Sequence, residues 1–112
     1  MRKLIVLVLA LAALAAVAAT ALGATKSIKV GDDYYVRARG VPKVTVSKGT
    51  RVRWRFATST GHTVTVKSGP TKFNSGAHSS GTYSKTLKKR GTYVIYCTIH
   101  GFSDQRMKLV VK

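Results

Sequence analysis

The segment Tyr96-Cys97-Thr98-Ile99-His100-Gly101-Phe102 places the one cysteine of the chain three residues before a histidine, at the end of an apolar stretch. Another histidine, His62, follows Gly61 far upstream. It begins the alternating run His62-Thr63-Val64-Thr65-Val66 and shares the face of Val64 and Val66. One thiolate and two imidazoles suit copper, with a weak axial fourth ligand. The soft thiolate favours Cu(I), and imidazole accommodates both oxidation states. A rigid scaffold holding such a set changes little on reduction, so single-electron transfer needs little rearrangement. Zinc is the rival ion, because Cys, two His and an amide can bind it tetrahedrally, but it has no redox role. Taken singly, His62 reads as a buried core histidine and Cys97 as a small core hydrophobe. What speaks for ligands is that all three residues fall where one site needs them. His78, in a Ser/Gly-rich loop, reads as a solvated residue.

Such a site needs strands to hold it, and the chain reads as strands from residue 25 onward. Arg51-Val52-Arg53-Trp54-Arg55-Phe56 alternates strictly, with Val52, Trp54 and Phe56 on one face and three arginines on the other. Val44 and Val46 make a short strand closed by the Lys48-Gly49 turn. Tyr83 to Leu87 can form another, and Lys88-Lys89-Arg90-Gly91 is a basic turn. Thr92 to Cys97 is apolar on both faces, as a central, covered strand would be. Arg106 to Val111 puts Met107, Leu109 and Val111 on one face, and an early strand lies within Ser27 to Val36. With His62 to Val66 this predicts about seven short strands, no amphipathic helix, and an all-β fold: a Greek-key β-sandwich. So small a domain buries a limited core. With a single cysteine no intrachain disulfide can staple it, which leaves a bound metal as the natural staple.

The ordered set Val41-Pro42-Lys43-Val44-Thr45-Val46-Ser47-Lys48-Gly49, Val52-Arg53-Trp54, Gly61-His62-Thr63-Val64 and Gly91-Thr92-Tyr93-Val94-Ile95-Tyr96-Cys97-Thr98-Ile99-His100 resembles the plastocyanin/azurin family of cupredoxins. The resemblance implies a type 1 (blue) copper site, an electron-carrier role, and His62, Cys97 and His100 as the three strong ligands. It also implies that the edge of His100 is the electron port, with Gly101, Phe102, Val41 and Pro42 as an apolar rim where partners dock. The axial position departs from the family pattern. Plastocyanin-like members place a Met five residues after the second His, where this chain has Gln105. The alternative, Met107, stands two residues further on, about 6.6 Å along a strand, too far for both to reach one ion. Gln105 lies nearer the ligand loop and has inward parity, and stellacyanin-like members use an axial Gln. Gln105 is therefore the expected axial ligand, with Met107 otherwise a core residue and the Gly61 carbonyl a further weak candidate. An amide oxygen, harder than a thioether, favours Cu(II) and implies a lowered reduction potential.

Met1-Arg2-Lys3, the apolar run Leu4 to Ala19, and the small residues that close it have the three-part form of a secretory signal peptide, expected over 1–24. The copper domain then spans 25–112, in a secreted or periplasmic protein. An uncut membrane anchor is the alternative reading of the same run. The chain carries 20 Lys and Arg against 3 acidic residues, a net charge of +17. Such a charge favours anionic partners. Redox proteins with acidic docking surfaces are the expected partners of a monomer, with no specific nucleic acid. The Arg51, Arg53, Arg55 row reads as a solvated strand face, or more sharply as a docking surface. Two other functions use the same features: copper storage or delivery, and polyanion binding by a basic sandwich with a vestigial metal site. Enzymatic activity is not expected, since multicopper oxidases and nitrite reductases need further copper centres and this chain lacks the ligands for one.

Overall fold

The structure, a computed structural model, describes residues 24–112. The leader expected over 1–24 lies, but for its last residue, outside the described residues. Eight strands follow in order: β1 (Thr25–Gly31), β2 (Tyr34–Tyr35), β3 (Lys43–Val46), β4 (Arg51–Phe56), β5 (Thr65–Ser68), β6 (Thr82–Thr86), β7 (Gly91–Tyr96) and β8 (Arg106–Val111). They form two four-stranded sheets, ordered β2-β1-β4-β6 and β3-β8-β7-β5. β1 pairs with β4, and β3 with β8, in parallel, and the remaining pairs are antiparallel. From β2 through β7 consecutive strands alternate between the two sheets, and the two inner faces share one core. Val52, Trp54, Phe56, Ile28 and Val30 from the first sheet meet Tyr93, Ile95, Met107, Leu109 and Val111 from the second. Trp54 packs between Phe73 and Tyr83, with ring centroids 5.9 and 6.1 Å away.

The alternating pattern of β4 folds as its sequence predicts, with Val52, Trp54 and Phe56 buried and Arg51, Arg53 and Arg55 exposed. Gly49 makes the turn before it with φ of 88°, a conformation that costs glycine little. The early stretch differs from the single strand expected within Ser27 to Val36. It breaks into β1 and β2 at Asp32-Asp33, where Asp33 takes a left-handed φ of 63° that Asp tolerates better than most residues. This raises the strand count from seven to eight.

Two further expectations are corrected. His62 to Val66 is not one strand, because β5 starts only at Thr65 and His62 pairs instead through an isolated bridge to His78. Ser75 explains this: its hydroxyl accepts from the Val64 N–H and its own N–H donates to the Val64 carbonyl, so the loop captures the segment. β7 is central, lying between β8 and β5 as expected, but only one of its faces is fully covered. Tyr93, Ile95 and Cys97 are buried, while Val94 and Tyr96 are partly exposed on the outer face of the sandwich.

Candidate metal centre

Cys97 is the first residue beyond β7, and Gln105 the last before β8. The Cys97 N–H donates to the Gln105 carbonyl at 3.1 Å, which closes the ladder across the loop between them. Inside that loop the Gly101 N–H returns to the Cys97 carbonyl at 2.9 Å, and Gly101 takes φ of 92°, which a side chain would strain. His100 is thereby turned back over Cys97. His62 arrives from the opposite side, held by two backbone hydrogen bonds of 2.9 Å with His78.

These local devices bring His62, Cys97 and His100 together, with one donor atom from each lying within 4.8 Å of the others. His62 and Cys97 are fully buried, whereas the His100 side chain is 26% exposed. His100 is thus the member of the trio that reaches the surface. Its Nδ1 faces the Cys97 sulfur at 3.4 Å, and the Thr63 N–H donates to the same sulfur at 3.4 Å. Burial pushes the Cys97 thiol up, but the His100 side chain and the backbone N–H groups of His100, Thr63 and Ile99 outweigh it and leave the thiol lowered. A thiol held toward its thiolate form is what a soft metal ion requires.

Gln105 completes the enclosure. It is 1% exposed, and its Nε2 donates to the Tyr34 and Gly31 carbonyls at 3.0 and 3.3 Å. This fixes the amide orientation and aims Oε1 at the site, 2.7 Å from His62 Nδ1. Met107 is one inward step further along β8, opposite Ile95 and inside the hydrophobic core. Inward parity therefore holds for Gln105, Met107, Leu109 and Val111, all of them buried, and Gln105 is the one that touches another site residue.

Sequence reasoning missed the outer supports. Asp32 Oδ1 accepts from His62 Nε2 at 3.1 Å, and Asp33 Oδ1 lies 3.6 Å from His100 Nε2. The turn that splits the early strand thus delivers a carboxylate to the outer nitrogen of each imidazole. The bond from His62 is the main reason that the Asp32 carboxyl sits at about 2; desolvation opposes it, and hydrogen bonds from Ser59 and the Thr60 backbone add to it. The signal was there, since these are two of only three acidic residues in a strongly basic chain. Tyr35 was missed as well: it is buried, and its hydroxyl, pushed up by burial and by Cys97, donates to the Thr63 carbonyl at 2.5 Å.

Three expectations about the surroundings change. His78 is not merely solvated, because its ring packs 5.2 Å from Phe56, its Nε2 donates to the Ser75 carbonyl at 2.9 Å and its backbone carries His62. Pro42 is buried and adds nothing to a surface rim, while Val41 is 42% exposed. Ile99, 55% exposed beside His100, is the larger apolar surface and was not anticipated. Phe102 is partly covered by cations, with Lys67 at 5.0 Å and Arg106 at 4.6 Å from its ring centroid.

No protein-family model matches the sequence, and no curated protein matches it. Solved structures do. An oxidized proline-to-glycine variant of amicyanin shares 26% identity over 79% of this chain and 82% of its own, with a TM-score of 0.64. A Cu(I) form of a methionine-to-alanine variant shares 26% over 80% and 83%, with a TM-score of 0.65. A methionine-to-glutamine variant of amicyanin in its Cu(I) state matches at 26% identity over 79% and 82%, also with a TM-score of 0.65.

Proposed function

We propose that the chain, which shares the fold of amicyanin over about four fifths of its length, is a cupredoxin that holds one copper ion and carries single electrons. The observation that carries the reading is the convergence of His62, Cys97 and His100 donor atoms within 4.8 Å at one end of the sandwich. The donor set fits copper by type: a thiolate for Cu(I), two imidazoles for either oxidation state, and an amide oxygen as a weak fourth partner. Bound there, copper would supply one-electron exchange between Cu(I) and Cu(II).

The residues of the chain supply the rest. Cys97, His62 and His100 would hold the ion, with Gln105 as a weak fourth partner, its oxygen aimed inward because its Nε2 is tied to two backbone carbonyls. Asp32 holds the outer nitrogen of His62, which orients that ring with Nδ1 inward, and Asp33 lies 3.6 Å from the outer nitrogen of His100. Burial of His62, Cys97 and Gln105 excludes water from the inner side. With copper bound, the exposed edge of His100, beside Ile99 and Val41, would be the route for electrons and the place where a redox partner docks. The protein acts outside the cytoplasm, secreted or periplasmic, as a carrier rather than an enzyme.

The test is an optical and EPR spectrum of the copper-loaded protein. The expected result is an intense thiolate-to-copper band that disappears in Cys97→Ala. A wild-type spectrum with no such band, or a band that survives in Cys97→Ala, overturns the reading.

A further inference from the structure

The outer face of the β2-β1-β4-β6 sheet takes no part in the metal centre, and its side chains form a regular grid. Registers align Thr25, Arg51 and Thr86 in one cross-strand row, Ser27, Arg53 and Ser84 in the next, and Lys29, Arg55 and Thr82 in the third. A straight line of three exposed arginines thus runs down β4 at twice the strand rise, about 6.7 Å apart, with Ser and Thr hydroxyls on both sides. A depression of about 270 Å³ lies among Ser27, Arg53, Arg55 and Thr82. The row continues past Arg51 toward the basic Lys88-Lys89-Arg90 turn, since Thr50 and Leu87 are hydrogen-bonded to each other.

Nothing negative offsets this charge. The three acidic side chains are Asp32, Asp33 and Asp104, in the turn after β1 and in the ligand loop. Among the described residues the ion pairs involve only His62 and His100, so the arginines of the row are not neutralised. The opposite sheet is different: on its outer face Lys108 is flanked by Val94 and Lys43, and partly buried valines interrupt the charge.

We propose that this face binds a linear polymer bearing regularly spaced phosphate or sulfate groups. Guanidinium forks grip such tetrahedral oxyanions through paired N–H donors, and flanking hydroxyls add neutral donors. A straight row at a constant step fits a repeating anion. A protein partner fits less well, because protein interfaces are built around apolar or aromatic anchors; the three rows contain none, and the nearest such groups, Tyr34 against Lys29 and Val36, lie at the β2 edge of the sheet. The ligand loop joins β7 and β8 of the other sheet, so a polymer lying along β4 leaves the His100 edge free. The carrier would then be held at an anionic matrix while its metal end stays open to partners.

The proposal uses no residue of the copper site and is tested with and without copper. Binding of long-chain inorganic polyphosphate and of heparin is measured across a salt series for three proteins. These are the wild type, the combined Arg51→Gln, Arg53→Gln and Arg55→Gln variant, and a control that loses equal charge elsewhere through Lys43→Gln, Lys108→Gln and Lys112→Gln. Circular dichroism and thermal melts establish that all three are folded. For at least one polymer, the arginine-row variant should lose about tenfold or more in affinity, and its slope of log affinity against log salt should flatten by about 2, as loss of three phosphate contacts requires. The control should lose about threefold or less. Equal losses in both variants would reveal diffuse attraction by net charge and overturn the proposal. Unchanged binding by the row variant, or tighter wild-type binding to phosphatidylglycerol vesicles than to either polymer, would overturn it too. Failure of the copper spectrum alone would leave these readings intact.

Discussion

At the candidate metal centre, His62 and Gln105 each have hydrogen-bond partners that aim them. Gln105 is the clearest case, because two carbonyls capture its Nε2 and leave Oε1 no direction but inward. If that oxygen is the axial ligand, Gln105→Met should raise the reduction potential, since a thioether stabilises Cu(II) less than an amide oxygen does. Voltammetry checks this, and an unchanged or lower potential would remove Gln105 from the site. Asp32 offers a measurement on the metal-free protein. Its carboxyl is depressed to about 2 from 3.8, first of all by the bond from His62. A depressed carboxylate stabilises the fold above its unfolded value, and that contribution disappears as pH falls from about 3.8 through 2. Side-chain NMR titration should therefore place Asp32 near 2 in the wild type and move it up toward 3.8 in His62→Ala. The acidic pair stood out in the sequence, but the pairing of Asp32 with His62 and the Ser75-His78 support of His62 were not legible there. A hydrogen bond between residues 30 positions apart has no local signature, whereas Cys97 and His100 stand close together on one loop.

At the scale of elements, strands with strict alternation were legible and those without it were not. β4 and β8 alternate because one face of each packs on the core and the other meets solvent. Met107 falls on the buried face of β8, opposite Ile95, and its role follows from that position. Met107→Ala should destabilise the protein by about 2–5 kcal/mol, the usual cost of emptying a core site. It should leave the form of the copper spectrum in place, as thermal or denaturant unfolding and optical spectra of one preparation would establish. A spectrum that changed as much as that of Gln105→Ala would make Met107 the axial ligand instead. The two misread segments share a cause. Ser27 to Val36 and His62 to Val66 both carry strand-forming residues, but a left-handed Asp33 breaks the first and the Ser75 loop diverts the second. In each case local geometry or a distant loop overrode propensity.

Across the whole molecule, charge is separated from chemistry: the carboxylates gather at the metal end, and a row of arginines crosses one sheet. The described residues hold no ion pair of a Lys or Arg, so the net charge of +17 acts mainly as self-repulsion. The melting temperature of the metal-free protein should therefore rise between about 10 and 150 mM salt, as the screening length falls from about 30 to 8 Å. Calorimetry at the two salt concentrations tests this, and a fall would point to attractive pairs that salt weakens. The sequence by itself determined the all-β class, the strands that alternate, the basic surface, and the identity of His62, Cys97, His100 and Gln105 as candidate ligands. Those depend on residue type and on spacing along the chain, which are local quantities. Only the tertiary structure decided which donors converge, which way the Gln105 amide points, which carboxylates stand behind the histidines, and which cations line up across strands. Those depend on contacts between segments far apart in sequence, and they exist only once two sheets close over a common core.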